Sequence, residues 1–503
     1  MRKASPYFYP RQFSSRTGTK RAAPFPAALH TAVEKAYNKL ILEELEKVKL
    51  MAHIDKAKHI HLIGVGGCSM NGLALILKSQ GHIVTGSDRE KTQFTDALDH
   101  EGIRYSIGHT GEYLDNAELV IYSAAIKPDN PERVLAREKG IPELERSVAL
   151  GQISERFAEV IAIAGCHGKT TITSMLAVIN ALADLEATVH VGGYVDFLGG
   201  GVSVGAQDLF VTEACEYVES FLTLRPTIAL INNIDDDHLD YYKNIGAIVA
   251  AFEKFLMLLP KNGVFIACTD DARVSALADR SVHTVVTYGI SGGDYTARDV
   301  GFDQKGNAGF AVVRRGETLG RVQMGVPGKH NVVNALGAIA VADRLGVPFP
   351  VITEALSRFR NTKRRFEYYG ERGGVRVFHD YGHHPSEIRA TLDAAKRVPH
   401  KKLFCVFQCN SYTRARTLFC SKVTCFSDAD KVLVPDIYPG REKDTGVVHA
   451  RDMVAAINEQ SGNAVYLPTF EEIRSYLDGH AGEGDLVVTV GSGDVYRQTW
   501  KLL

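Results

Sequence analysis

Zinc-type CxxC pairs, long apolar runs and an excess of either charge are all missing from this 503-residue chain. The eight cysteines, Cys68, Cys166, Cys215, Cys268, Cys405, Cys409, Cys420 and Cys425, form no CxxC pair. That excludes the usual zinc frameworks and a disulfide scaffold, and leaves reduced thiols in a cytoplasmic protein as the expectation. No stretch approaches the roughly 18 uninterrupted apolar residues of a membrane span, so stable membrane insertion is not expected. Lys plus Arg, 58, nearly cancels Asp plus Glu, 59. Without a global basic field, a nucleic-acid partner is not expected either. A hydrophobic fraction of 45% is too high for a disordered chain. At roughly 100 to 200 residues per domain, the length implies two to four domains.

Acid is also missing from the first thirty residues, which carry Arg2, Lys3, Arg11, Arg16, Lys20, Arg21 and four prolines. This basic leader reads as a disordered extension or a wrongly chosen upstream start, in preference to an organellar transit peptide. Thr31 to Lys49 carries apolar residues at helical spacing (Val33, Tyr37, Leu40, Ile41, Leu45, Val48), predicting a helix. Beyond it, short apolar runs ending in glycine or acid alternate with amphipathic stretches. Examples are His59 to Gly64, His82 to Asp88 and Leu119 to Ser123. The grammar restarts at Val160 to Gly165 and at Val375 to Asp380, and finishes with Leu486 to Gly491. This alternation predicts βαβ units with parallel sheets, hence three α/β domains in series. The expected boundaries are 1–50 for the leader and helical extension, 51–150, 151–360 and 361–503. Glycine-rich alternating sequence between Gly289 and Gly320 predicts antiparallel hairpins on the middle domain.

Three motifs carry chemistry. The turn Gly64-Val-Gly66-Gly67-Cys-Ser69 follows a strand and opens a helix, with Asp88 ending the next strand. It approaches a dinucleotide fingerprint but places Ser69 where the third glycine belongs, so a nicotinamide, another diphosphate ligand and a tight turn alone all stay open. The strongest signal is Gly165-Cys166-His167-Gly168-Lys169-Thr170-Thr171 at another strand-to-helix junction. There backbone amides converge on phosphate, a lysine neutralises the terminal phosphates and a hydroxyl reaches the metal. An apolar strand, Asp208 to Glu213, ends in an acid suited to the metal opposite this loop. A second, Thr227 to Ile234, runs into an acidic cluster containing His238. The third motif, His379-Asp-Tyr381-Gly-His383-His384-Pro385, matches no standard zinc spacing, and substrate contact or loop structure are its readings. Pro327 to Asn334 could cap a helix or meet a base. Lys363-Arg364-Arg365 is a cationic cluster at a domain joint, able to offer an arginine to a phosphoryl group.

Taken in order, these motifs resemble the Mur ligase family of bacterial peptidoglycan synthesis, and within it the members that add L-alanine to UDP-N-acetylmuramate. Gly64 to Gly72, Ser123 to Pro131, Gly328 to Asn331, Arg364 to Phe366, Asp380 to Pro385 and Asp436 to Tyr438 carry the resemblance, which runs from about residue 57 to the C-terminus. It implies a Rossmann-like N-terminal domain for the UDP-sugar, a P-loop central ATPase domain and a Rossmann-like C-terminal domain for the amino acid. It also implies ATP and Mg²⁺ as cofactors, an acyl-phosphate route, and a monomer or weak homodimer in the cytoplasm. Lys169 would hold the β- and γ-phosphates, Thr170 and Glu213 one Mg²⁺, and His238 a second. His330, Asn331 and Asn334 would meet adenosine, and Arg365 the transferred phosphate. Gly64, Gly66, Gly67, Ser69, Asp88, His109 and Ser123 would line the UDP-sugar site. Tyr381, His383 and Arg414 would face the amino acid. The chain departs from the family at Cys166, usually Thr, at Ala214 to Val218, and at Cys409 to Ser411, where Pro-His followed by Arg or Thr is usual. No arginine stands at Ser411, which leaves Arg414 to meet a carboxylate. The alternatives are a peptide-recycling member of the family, a nicotinamide oxidoreductase using the first domain, and a silent nucleotide-binding regulator.

Overall fold

The computed structural model describes residues 52–440 and 442–502. The basic leader and the helix expected over Thr31 to Lys49 lie outside the described residues. Three sheets follow one another along the chain.

The first sheet contains β1 (His59–Ile63), β2 (Ile83–Asp88), β3 (Arg104–Ile107), β4 (Leu119–Tyr122) and β5 (Glu143–Glu145), all parallel, in the order β3-β2-β1-β4-β5. Its central strands β1 and β4 are buried along nearly their whole length because both faces are covered. Leu62 packs into one core cluster and its neighbour Ile63 into another. Strand order reverses beside β1, and the glycine turn leading into the helix Cys68–Ser79 occupies that crevice, where such sheets place ligands.

The second sheet holds β6 (Glu159–Ala164), β7 (Thr188–Val195), β8 (Gly200–Ser203), β9 (Leu209–Glu213), β10 (Ile228–Ile231), β11 (Val264–Cys268), β12 (Thr284–Tyr288), β13 (Tyr295–Phe302), β14 (Asn307–Arg314) and β15 (Glu317–Pro327). The order is β15-β14-β13-β12-β11-β10-β6-β9-β7-β8. The hairpins expected after Gly289 are the antiparallel run β13 to β15 at one edge. The phosphate-loop strand β6 lies between β10 and β9, so its loop opens where the order reverses. The strand expected over Thr227 to Ile234 is shorter, ending at Ile231. Beyond it the Asn232 amide still donates to the Ala164 carbonyl and the Cys166 amide to the Asn233 carbonyl, while both asparagine side chains donate to the His167 carbonyl, at 3.0 and 2.9 Å, bracing the phosphate loop. His238 therefore does not end this strand; it caps the short helix Leu239–Tyr242 with φ 53°.

The third sheet holds β16 (Glu367–Arg372), β17 (Val375–Asp380), β18 (Leu403–Phe407), β19 (Lys431–Val434), β20 (Ala464–Tyr466) and β21 (Leu486–Val490), in the order β16-β17-β21-β18-β19-β20. Only β16 is antiparallel to its neighbour. Cys405 and Phe407 face one core, Phe404 and Val406 the other, so this sheet too is covered on both sides. The helix Pro385–Arg397 starts where the sequence His384-Pro-Ser-Glu387 forms a capping box, the histidine ring and the Glu387 carboxylate exchanging with each other's backbone. Among the described residues, no helix is long and apolar enough to cross a membrane.

Candidate active site

The phosphate loop is shaped by two left-handed glycines, Gly165 (φ 130°) and Gly168 (φ 86°). A Cβ at Gly168 would stand 2.6 Å from both the Asn232 amide nitrogen and the Asn334 Oδ1, so only glycine lets the loop reach this depth. Lys169 opens the helix Lys169–Ala183, and its Nζ donates to the Gly165 carbonyl at 2.6 Å, the Cys166 carbonyl at 3.2 Å and Glu216 Oε2 at 2.7 Å. Thr170 Oγ1 donates to Glu213 Oε2 at 3.0 Å, while Glu213 Oε1 accepts from the Gly192 amide. Burial raises the Glu213 carboxyl above its usual range. A hydroxyl and a carboxylate held this close form a hard oxygen donor set, which fits Mg²⁺.

Glu216 was not among the residues picked out by sequence. It is 1% exposed, and its second oxygen, without a hydrogen-bond partner, lies 3.4 Å from His238 Nε2. Burial opposes its ionisation, but the Lys169 charge and His238 outweigh burial and hold it below the ordinary value. One buried carboxylate thus links the loop lysine to His238, whose ring lies tilted against Tyr217 with centroids 4.6 Å apart. The only trace in the sequence was the unusual run Ala214-Cys-Glu-Tyr-Val218.

A cavity of about 460 Å³ opens above the loop. Cys166, His167, Gly168, Lys169, Thr170, Thr171, His330, Asn331, Asn334 and Arg365 line it, joined by Asp271, Arg273, Ser386 and Glu387. Gly165, Glu213 and His238 do not line it; Gly165 shapes the loop from below, and the other two lie on its Glu216 side. Asn331 and Asn334 hydrogen-bond each other at 3.2 Å, and Asn334 Oδ1 accepts from Asn232 at 3.1 Å. Asn232 in turn accepts from the buried Tyr288 hydroxyl at 2.8 Å. The Asn232 and Tyr288 end of this polar chain was unmarked in the sequence.

Residues just before β16 and just after β17 meet the second sheet at this cavity. Arg365 Nη1 donates to Glu387 Oε1 at 3.3 Å, and His167 Nδ1 lies 3.5 Å from the same oxygen. Glu387 Oε2 accepts from the His383 and His384 amides at 3.0 and 3.2 Å. Glu387 is consequently held well below the carboxylate range: burial opposes ionisation, and His383, His167 and Arg365 outweigh it. Ser386 donates to Asp235, and His384 Nε2 lies 3.2 Å from the Asp236 carbonyl. Burial lowers His167, but its bonds to Asp235 and Glu387 prevail and lift it to about 9. Asp380 anchors the joint, accepting from the Phe366 amide at 2.8 Å and the Gly382 amide at 2.7 Å.

The histidines of the third motif do not converge. His379 pairs with Thr489 at 2.8 Å inside the third core, and His384 turns to Asp235. His383 packs edge-on to Tyr381 at 5.6 Å, and burial takes it down to about 4, so it is neutral near pH 7. The Arg414 charge contributes to that lowering and also acts on Tyr217, so Arg414, His383 and Tyr217 share one neighbourhood.

In the first domain, the Gly66 amide donates to Asp88 Oδ2 at 2.8 Å, tying the turn that begins at Gly64 and ends at Gly67. Ser69 Oγ lies 3.2 Å from His190 Nε2 of β7 and accepts from Arg146 at 3.4 Å, so it faces the second sheet. Burial, then the Arg146 charge, lowers His190 to about 4. His109 Nδ1 lies 3.2 Å from the buried Glu132, and Ser123 packs against Gly64.

Three sheets, a glycine turn at the first crevice, a phosphate loop at the second and an arginine at the third joint describe an ATP-using ligase of modular build. The chain belongs to the Mur ligase family: the family's catalytic domain matches residues 59–158, its middle domain 163–342 and its glutamate ligase domain 364–493. Two curated relatives carry the name UDP-N-acetylmuramate--L-alanine ligase. That of Caldanaerobacter subterraneus subsp. tengcongensis is 45% identical over 90% of this chain and 98% of its own. That of Acetivibrio thermocellus is 44% identical over 88% and 95%. Among solved structures, UDP-N-acetylmuramate-alanine ligase MurC of Thermotoga maritima superposes with a TM-score of 0.73 at 29% identity, covering 89% of this chain and 98% of that one. A murein peptide ligase of Psychrobacter arcticus gives 0.65 at 26%, covering 88% and 98%.

Proposed function

We propose that the chain joins L-alanine to the lactyl carboxylate of UDP-N-acetylmuramate, using ATP to form an acyl phosphate. The observation that carries this reading is the assembly of Lys169, Thr170, Glu213 and Glu216 from the second sheet with Arg365, Glu387 and His383 from the third around one neighbourhood, in a chain whose relatives bear that activity by name. A carboxylate is a poor electrophile, so phosphorylation has to precede attack by an amine.

In this reading Lys169 exchanges its carbonyl partners for the β- and γ-phosphates, and the loop amides hold the oxygens between them. Thr170 and Glu213 would hold one Mg²⁺ and His238 a second, spreading the charge that builds on the transferred group. Arg365, kept in place by Glu387, faces the phosphoryl group from the other sheet. Asn331, Asn334 and His330 meet adenosine. Arg414 and neutral His383 receive the amino acid, Arg414 as partner of its carboxylate. Ser69, His109, Ser123 and the turn Gly64 to Gly67, tied by Asp88, hold the nucleotide sugar. Residues 51–150, 151–360 and 361–503 act as three domains, and Ser386 to Asp235 and Glu387 to His167 are the contacts that close the third over the second and exclude water from the acyl phosphate. The setting is the cytoplasm, and the enzyme works as a monomer or weak homodimer.

The test incubates purified protein with ATP, Mg²⁺ and UDP-N-acetylmuramate, adds each of the twenty amino acids separately, and follows phosphate release with mass spectrometry of the product. L-Alanine alone should give the amide. A parallel tube receives a muramyl-type tripeptide in place of an amino acid; release only there would move the activity to the recycling branch, and release in none would refute the ligase reading.

A further inference from the structure

Just past β18, and outside the machinery above, two buried reactive groups face each other. Cys409 is 2% exposed and Lys422, in the short helix Phe419–Val423, is 1% exposed. Lys422 Nζ lies 3.3 Å from Cys409 Sγ, and its other acceptor is the Arg414 carbonyl at 3.4 Å. Among the described residues no carboxylate pairs with this amine. A thiol in contact with a buried amine that no carboxylate holds sets a sulfur and a nitrogen nucleophile face to face, and peroxide chemistry at cysteine runs through the thiolate form. Proline is usual at position 409 in the family this chain resembles, so the thiol belongs to this chain's own departure from that pattern.

We propose that Cys409 and Lys422 form a modification site that a peroxide closes into a covalent sulfur–nitrogen bond. The thiolate attacks hydrogen peroxide, the O–O bond breaks, sulfur is oxidised by two electrons to the sulfenic acid, and the released hydroxide takes a proton from the ammonium to become water. The Lys422 amine then attacks sulfur, the S–O bond breaks, and the departing hydroxide leaves as a second water with the proton the nitrogen sheds. Thiolate, ammonium and peroxide thus give one S–N bond and two waters. A brief opening of the five-residue helix admits an oxidant this small. Once formed, the bond ties the end of β18 to that helix across the turn carrying Arg414, and an external thiol reverses it.

The test treats the full chain with hydrogen peroxide and maps tryptic peptides by tandem mass spectrometry. Expected is a linked pair two hydrogens lighter than its parts, with fragments placing the bond between Cys409 and Lys422, cleavage after Lys422 lost, and dithiothreitol restoring both. In Lys422→Met the pair should vanish. Persistence of a Cys409 link in that variant would assign it to another cysteine and overturn the proposal. So would recovery of Cys409 as a free thiol while the exposed Cys420 is oxidised, or its recovery as a sulfinic acid with Lys422 free. The wild-type fragment spectra decide the matter even if the variant does not fold.

Discussion

Glu216→Gln separates what the buried carboxylate does for the empty site from what it does during turnover. The substitution keeps the side chain's shape and removes its charge. Lys169 then loses a charge-assisted bond of 2.7 Å but keeps the Gly165 and Cys166 carbonyls. Such a bond contributes about 1.5–3 kcal/mol, so the unliganded variant should be less stable by roughly that amount. Phosphate groups supply the missing counter-charge when nucleotide binds, which returns part of the loss. At about 1.4 kcal/mol per tenfold, ATP affinity should hold or tighten by up to about tenfold. His238, meanwhile, loses the carboxylate 3.4 Å from its Nε2. Outer-shell partners of this kind carry about 10–100-fold in activity, so kcat should fall within that range. Calorimetry with a non-hydrolysable ATP analogue and steady-state phosphate release read the two effects apart. Weaker nucleotide binding in the variant, or an unchanged kcat, would refute the reasoning.

Lys169→Ala should abolish phosphate release while calorimetric binding of UDP-N-acetylmuramate stays intact, because the glycine turn and the phosphate loop open from different sheets. Arg414→Ala should raise the KM for L-alanine by about 10–150-fold, the equivalent of one charge-assisted pair, with the KM for ATP unmoved in the same assay. His167 has a folded value of about 9, above its ordinary 6.5, so its contribution is whole below about pH 6.5 and fades as pH rises through 9. The melting-temperature gap between wild type and His167→Gln should accordingly narrow from about pH 6 to 10, and a constant gap would count against the Asp235 and Glu387 bonds.

Strands β1, β2, β6, β9 and β21 were legible because a short run of mostly buried residues ends in glycine or acid at the strand's carboxyl end. The meeting of Lys169, Thr170 and Glu213 was legible for the same reason, since two of these open a helix directly after a strand and the third ends the adjacent one. Glu216 was not, because its position depends on a turn in which Val218 (φ 50°) and Glu219 (φ 56°) adopt left-handed backbone that no periodicity reports. Glu387 was hidden as an ordinary capping residue, and only the packing of the third sheet against the second turns that cap toward Arg365 and His167. The over-long reading of β10 has a related cause: Asn232 and Asn233 continue the backbone pairing with the β6 side while their side-chain amides brace its loop, so the ordered stretch outruns the strand.

The place of β21 between β17 and β18 sets a timetable for synthesis. The strands of the first two sheets have all been made by residue 327, yet β17 must wait for a neighbour that begins more than a hundred residues after its own end. At about 5–20 residues per second the gap lasts on the order of ten seconds, during which the facing edges of β17 and β18 present unpaired backbone to any strand nearby. A nascent chain stalled in that interval would carry a finished phosphate loop and no amino-acid pocket, and it would be at its most prone to aggregate just before it becomes an enzyme.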